Sequence, residues 1–199
     1  MTEQVIAIPD LRALLGKCRM LIAMQNGVGT EEDLAILSRD RVVARTLTAS
    51  AGIPEPGIIS RYSRGGGVAL AAMTDARVPP WIVESFAATG LPTVTVEDYR
   101  SLRWSKLLLN MLGAAQNAIL DMDIEPLIGN ASLFRLEQLA LREAGQAMDS
   151  LGIGTATLPS YPVPLVRILM RLPAPLAHRV LGPRLVRARS GHSPPCVPI

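Results

Sequence analysis

The sequence predicts an α/β fold that gives way to an all-helical C-terminal part. Three observations predict it. A short apolar run at residues 20–24 leads through a glycine-containing loop, residues 25–29, into a helix start at Thr30. That order of strand, loop and helix is the signature of α/β proteins. Segments with strand character continue to about Val96 and then cease, and the patterned segments from residue 99 onward are helical.

Element by element, residues 3–15 read as a short amphipathic helix. Residues 20–24 are apolar throughout and too short for a helix, as in a strand buried on both faces. Thr30 followed by Glu31, Glu32 and Asp33 is a capping-box-like start, with acids where the helix dipole favours them, and this helix runs to about Leu37. Residues 41–49, rich in Val and Thr, read as the next strand. Residues 57–62 and 67–72 read as two strands joined by a turn at Arg64-Gly65-Gly66. A helix over 80–89 begins with proline in its first turn and stops at Gly90. Residues 91–96 alternate as a strand. Helices are predicted over 99–120, 131–150, about 163–172 and 174–188. Nine of the sixteen prolines fall at or after Pro159, so the last part is punctuated. The predicted organisation is an α/β domain over 1–97, a helical domain over 98–189 and an irregular tail over 190–199.

Composition narrows the classes. Hydrophobic residues make up 49%, enough for a core, but aromatics only 4%, so the core must be aliphatic. Cys18 and Cys196 have no disulfide-framework, metal or redox spacing. With no secretory leader pattern in the first twenty residues, which carry Glu3 and Asp10, the expected location is the cytoplasm. The net charge of +3 is uneven. No Asp or Glu follows Asp149, and Arg167, Arg171, Arg179, Arg184, Arg187 and Arg189 give the last fifty residues +6. These arginines are spread among Leu, Val and Pro, as on solvated helix faces, so neither nucleic acid nor a membrane surface is the expected partner. Residues 163–181 are apolar but interrupted by Arg167, Arg171, Pro173 and Pro175, unlike a membrane span of about 20 uncharged residues.

One residue stands apart. The chain has eighteen Arg and two Lys, Lys17 and Lys106. Lys106 lies in a segment apolar almost all round, where a buried ammonium is costly unless paired. At about 100° per residue, Asn110, Gly113 and Asn117 fall within about 40° of it on a continuous helix. A cation, two amides and a gap suit a small anionic or carbonyl compound. A lysine with a buried stem and solvated head, beside a core amide, fits the same pattern. Elsewhere the signals are weak. Gly65-Gly66-Gly67 leads into a strand-like run, so a turn explains it better than a phosphate cradle. His178 and His192 have no ligand-spaced partners, and no metal motif is expected.

Two segments carry a resemblance. Leu21-Ile22-Ala23-Met24-Gln25-Asn26-Gly27-Val28-Gly29-Thr30-Glu31-Glu32 resembles the strand–loop–helix of the ketopantoate reductase (2-dehydropantoate 2-reductase) family. Arg103-Trp104-Ser105-Lys106-Leu107-Leu108-Leu109-Asn110 resembles the start of that family's helical domain. The resemblance extends over about residues 1–190. It implies a partial Rossmann-type parallel sheet, like that of 6-phosphogluconate dehydrogenases, followed by a helical C-terminal domain. It also implies NADPH-dependent reduction of a 2-keto acid to a 2-hydroxy acid, of the kind used in pantothenate biosynthesis; a sheet without its first strands would expose an edge, with which a homodimer is compatible. By resemblance, Lys106 matches the catalytic lysine, Asn110 and Ser193 the substrate-contacting residues, and Asn26 the asparagine at the cofactor. Three departures go with it. The family's first βαβ unit and Gly-rich pyrophosphate loop have no counterpart, so the chain reads as starting inside the Rossmann domain. Ala114 stands where the family has a further asparagine, and no Glu follows Glu143. The alternative these imply is a truncated, inactive member acting as a fragment or helical interaction module.

Overall fold

The computed structural model describes residues 9–63, 65–74 and 77–189. The chain forms two compact units. Of the described residues, the first comprises 9–49, 65–74, 77–107 and 155–161, and the second comprises 50–63, 108–154 and 162–189. Ser193, among the residues singled out from the sequence, lies outside the described part, as does the predicted tail.

The first unit is built on a four-stranded sheet. Its strands are β1 (Leu21–Ala23), β2 (Val42–Leu47), β5 (Val68–Ala72) and β6 (Thr93–Thr95), in that spatial order. The outer pairs are parallel, as the strand–helix–strand order predicts, and the middle pair, β2 with β5, is antiparallel. Between β2 and β5 the chain runs through a hairpin, not a crossover helix, and antiparallel neighbours need no crossover. Helices α1 (Pro9–Lys17), α2 (Thr30–Ser38), α3 (Pro80–Ala87) and the first part of α4 (Tyr99–Met111) complete the unit.

Side-chain alternation along β2 explains how both faces are covered. Val42 joins Leu21, Ala23, Leu34 and Met73, with Leu15 of α1 packed against them. Its neighbour Val43 points the other way, to Val68, Leu70, Val78 and Ile82, against which Val83 and Phe86 of α3 pack. A strand buried on both faces reads as a continuous apolar run, which is why 68–72 is Val-Ala-Leu-Ala-Ala.

The three consecutive glycines are structural. Gly66 has φ +93°, and a Cβ on Gly67 would stand 2.1 Å from the Pro92 carbonyl oxygen. Their amides are spent: Gly66 N–H donates to Ser160 Oγ at 2.8 Å, and Gly67 N–H to Thr48 Oγ1 at 2.9 Å. The strands predicted on either side of this turn do not pair with each other. Strand β4 (Ile58–Arg61) pairs instead with β3 (Ala51–Glu55), because Gly57, at φ +84°, makes the tight turn eight residues earlier.

The second unit holds that hairpin and the helices α5 (Ala114–Leu120), α6 (Ile124–Gly129), α7 (Ala131–Ser150), α8 (Val163–Leu169) and α9 (Ala174–Arg189). Asn130 caps α7, its side chain accepting from the Ser132 and Leu133 amides. The core is Leu127, Ile128, Phe134, Leu141, Met148 and Leu181. His178 is part of it: the ring stands edge-on to Phe134 at 4.9 Å, and Nε2 lies 2.8 Å from the Ile128 carbonyl. At the end of α8 the Met170 and Leu172 carbonyls receive bonds from Gln138 and Arg142 of α7. Such carbonyls have no partner inside their own helix.

Candidate functional site

Lys106 lies on α4, and the helix begins where Asp98 caps it. The Asp98 carboxylate accepts from the Arg100 and Ser101 amides, each at 3.0 Å. One turn further on, Arg103 is 3% exposed and organises the surrounding chain. Its Nε–H donates to Glu31 Oε1 at 2.6 Å. Nη1 donates to the carbonyls of Gln25 at 2.7 Å and Arg45 at 2.9 Å, and Nη2 to that of Ala23 at 2.7 Å. One planar guanidinium thus ties α4 to the end of β1, to β2 and to the first turn of α2, a task its five-donor fork suits and an ammonium does not. Arg45 lies close by; burial first, and the neighbouring Arg103 charge second, push its guanidinium below its ordinary range.

The clamp fixes the Asn26 loop. Gln25, whose carbonyl Arg103 binds, precedes Asn26, which is exposed at the carboxyl end of β1. Gly27 and Gly29 follow with φ +98° and +97°, and a Cβ on either would meet nothing within 4 Å. The loop therefore presents bare backbone to open space, flanked by the exposed apolar side chains of Met24 and Val28. Lys106 stands one turn beyond Arg103 and is half-buried, as is Asn110 one turn later on the same helix. Immediately before Lys106 the Ser105 hydroxyl is buried and accepts from the Ala156 amide at 2.7 Å.

The stripe expected from a single helix over 99–120 is shorter than the sequence suggests. Helix α4 ends at Met111, and Gly113, at φ +74°, turns the chain before α5 begins. The Gly113 amide donates to Glu137 Oε2 at 2.9 Å. Asn117 therefore does not continue the Lys106–Asn110 face; its side-chain amide donates to the Met122 carbonyl. Arg103 and Glu31 had no role in the sequence analysis beyond motif and helix-dipole positions. Their separation of 72 residues leaves no local signal of pairing.

Among the described residues no group of three or more His, Cys, Asp or Glu is placed to hold a metal, and no helix is long and apolar enough to cross a membrane.

No protein-family model matches the chain. A 2-dehydropantoate 2-reductase of Halobacterium salinarum is 28% identical over 151 residues, covering 73% of this chain and 49% of the relative. The chain thus spans about half the length of the curated relative it matches. The crystal structure of 2-dehydropantoate 2-reductase from Porphyromonas gingivalis W83 superposes with a TM-score of 0.65 at 17% identity, over 96% of this chain and 63% of that one. A D-mandelate dehydrogenase in complex with NADH superposes with a TM-score of 0.67 at 15% identity, over 92% and 68%. The sheet and the helical C-terminal region match the fold of these oxidoreductases, and the curated relative and the solved structures point to the ketopantoate reductase family.

Proposed function

We propose that this chain, a relative of the ketopantoate reductases, works as a cytoplasmic reductase that converts a small 2-keto acid, ketopantoate or a close analogue, to the 2-hydroxy acid with NADPH. The observation that carries this is the Arg103 clamp, which secures the Asn26 loop to the helix bearing Lys106 and Asn110. The open glycine backbone at the carboxyl end of β1 fits the nicotinamide end of a dinucleotide, because ligands of open α/β sheets bind at that edge. When bound, the dinucleotide supplies a hydride to the carbonyl carbon. Asn26 would hold its carboxamide end.

The chain's own residues then handle the other half of the reduction. Lys106 donates a hydrogen bond, and finally its proton, to the carbonyl oxygen as negative charge develops there. Hydride on carbon and proton on oxygen together give the alcohol. Because Lys106 is only half-buried, solvent can return the proton to it. Asn110, one turn further along the same helix, would orient the substrate carboxylate.

NADPH oxidation with a 2-keto acid tests the assignment. Lys106→Ala lowers kcat by about 10²–10⁴-fold, the usual contribution of a placed proton donor. An unchanged kcat would remove Lys106 from the chemistry.

A further inference from the structure

We propose that the helical unit carries a separate binding site for an aliphatic monocarboxylate. A cavity of about 360 Å3 lies among the last residues of α4, α7 and α8. That is within the range of about 300–1,000 Å3 typical of small-molecule sites. Its walls include Leu112, Leu141, Val166 and Met170, with no aromatic ring among them. Nothing there would stack on a planar ligand, whereas a flexible hydrocarbon chain matches an aliphatic wall.

The charge at this cavity is one-sided. Arg142, Arg167 and Arg171 line it, and no acidic side chain does. Among the described residues Arg142 is held by neutral groups, donating to the Met170 and Leu172 carbonyls at 2.7 Å each. Arg167 donates to the Gly145 carbonyl at 2.7 Å and pairs with Asp149 at 2.5 Å. Arg171 reaches the same Asp149 oxygen at 3.2 Å. One carboxylate from outside the cavity therefore serves two guanidiniums, and the third has no ionic partner among the described residues. Each guanidinium offers five N–H donors, so several stay available. One of them, Arg167 Nε, is buried without a hydrogen-bond partner. Gly145 lets that side chain lie flat on α7, since a Cβ there would stand 3.1 Å from Arg167 Nε.

An apolar pocket beside three guanidiniums, two of which share one carboxylate, is complementary to a ligand with an aliphatic tail and an anionic head. A carboxylate fits best, because the planar fork of arginine binds it bidentately. The tail would occupy the Leu–Val–Met wall while the head replaces solvent at the guanidiniums.

Calorimetric titration of the 199-residue chain with octanoate, octanol and octylamine tests the site. Octanoate should bind saturably and one-to-one, about tenfold or more tighter than octanol, as a charge-assisted pair implies, and octylamine should not bind. Arg171→Gln alters an exposed side chain and should weaken octanoate about tenfold while leaving octanol unchanged. Val166→Trp fills the cavity and should abolish binding of both, with circular dichroism confirming the fold. Failure of the folded protein to bind octanoate, equal affinity for octanoate and octanol, or affinities unchanged in both variants would overturn the proposal. Reductase turnover plays no part in these readings, so they stand or fall apart from the role of Lys106.

Discussion

Replacing Arg103 by methionine removes a cation from a buried polar cluster of the sheet unit. The Arg103 and Glu31 side chains are 3% and 1% exposed. Four acceptors lose their donor at once: Glu31 Oε1 and the carbonyls of Ala23, Gln25 and Arg45. Glu31 Oε2 already lacks a hydrogen-bond partner, so the carboxylate would be left buried and uncompensated. Breaking a buried pair from one side costs about 3–5 kcal/mol. One effect opposes this, since Arg45 is relieved of a neighbouring positive charge. That relief acts at a partly solvated group and is the smaller of the two. A net loss of about 3–5 kcal/mol is therefore expected, against a total of about 5–15 kcal/mol for a typical domain. Urea unfolding followed by tryptophan fluorescence measures it, because Trp81 and Trp104 both lie in the sheet unit. Glu31→Met and the double variant close the cycle. The double variant removes both charges, so it should recover at least about 2 kcal/mol relative to the summed singles. A loss below about 1 kcal/mol for Arg103→Met, or strict additivity, would show that the clamp does not hold the unit together.

Three further outcomes follow from local geometry. Gly113→Ala forces a side chain onto a φ of +74° and a Cβ to within 2.3 Å of Ile124 Cδ1, so it should cost more than about 1 kcal/mol in a helix-monitored melt. Asn130→Ala removes the cap of α7 and should cost about 1 kcal/mol; equal stability would mean that the cap bonds are made by water instead. The Asp149 carboxyl is held below its ordinary range, chiefly by the hydrogen bond from Arg167 and further by the charges of Arg167 and Arg171, with burial opposing. Its contribution to stability is therefore full above the ordinary Asp range and is lost as pH falls through the depressed pKa. Wild type and Asp149→Asn should differ at neutral pH and converge in strong acid, and a constant gap in unfolding midpoint across that range would contradict the pairing.

Legibility differed between the two kinds of information in the chain. Local signals carried well. The acids after Thr30 and the proline at the start of α3 mark helix starts that the structure contains. Gly113 misled, because a glycine inside an apolar helical pattern looks like a tolerated gap until its φ is known. The hairpin was placed one turn late for a similar reason: two glycine-containing turns flank β4, and only strand pairing decides which one folds the chain back. Lys106 and Asn110 stood out as rare polar groups on an apolar helix, and Asn26 through the resemblance of its loop. Arg103 did not, since one arginine among eighteen carries no mark of burial and its partners come from β1, β2 and α2. A short family-like motif thus pointed to the helix, whereas the clamp that secures the loop to it became visible only in three dimensions.

Titration of the purified 199-residue chain with NADPH, following nicotinamide fluorescence, is the most direct test of the reductase assignment. A folded chain should bind NADPH saturably, with Asn26→Ala weakening the affinity and NADH run alongside to compare the two dinucleotides. A chain that is folded by circular dichroism and shows no saturable binding of either dinucleotide would contradict the reductase assignment and leave the non-catalytic reading in its place.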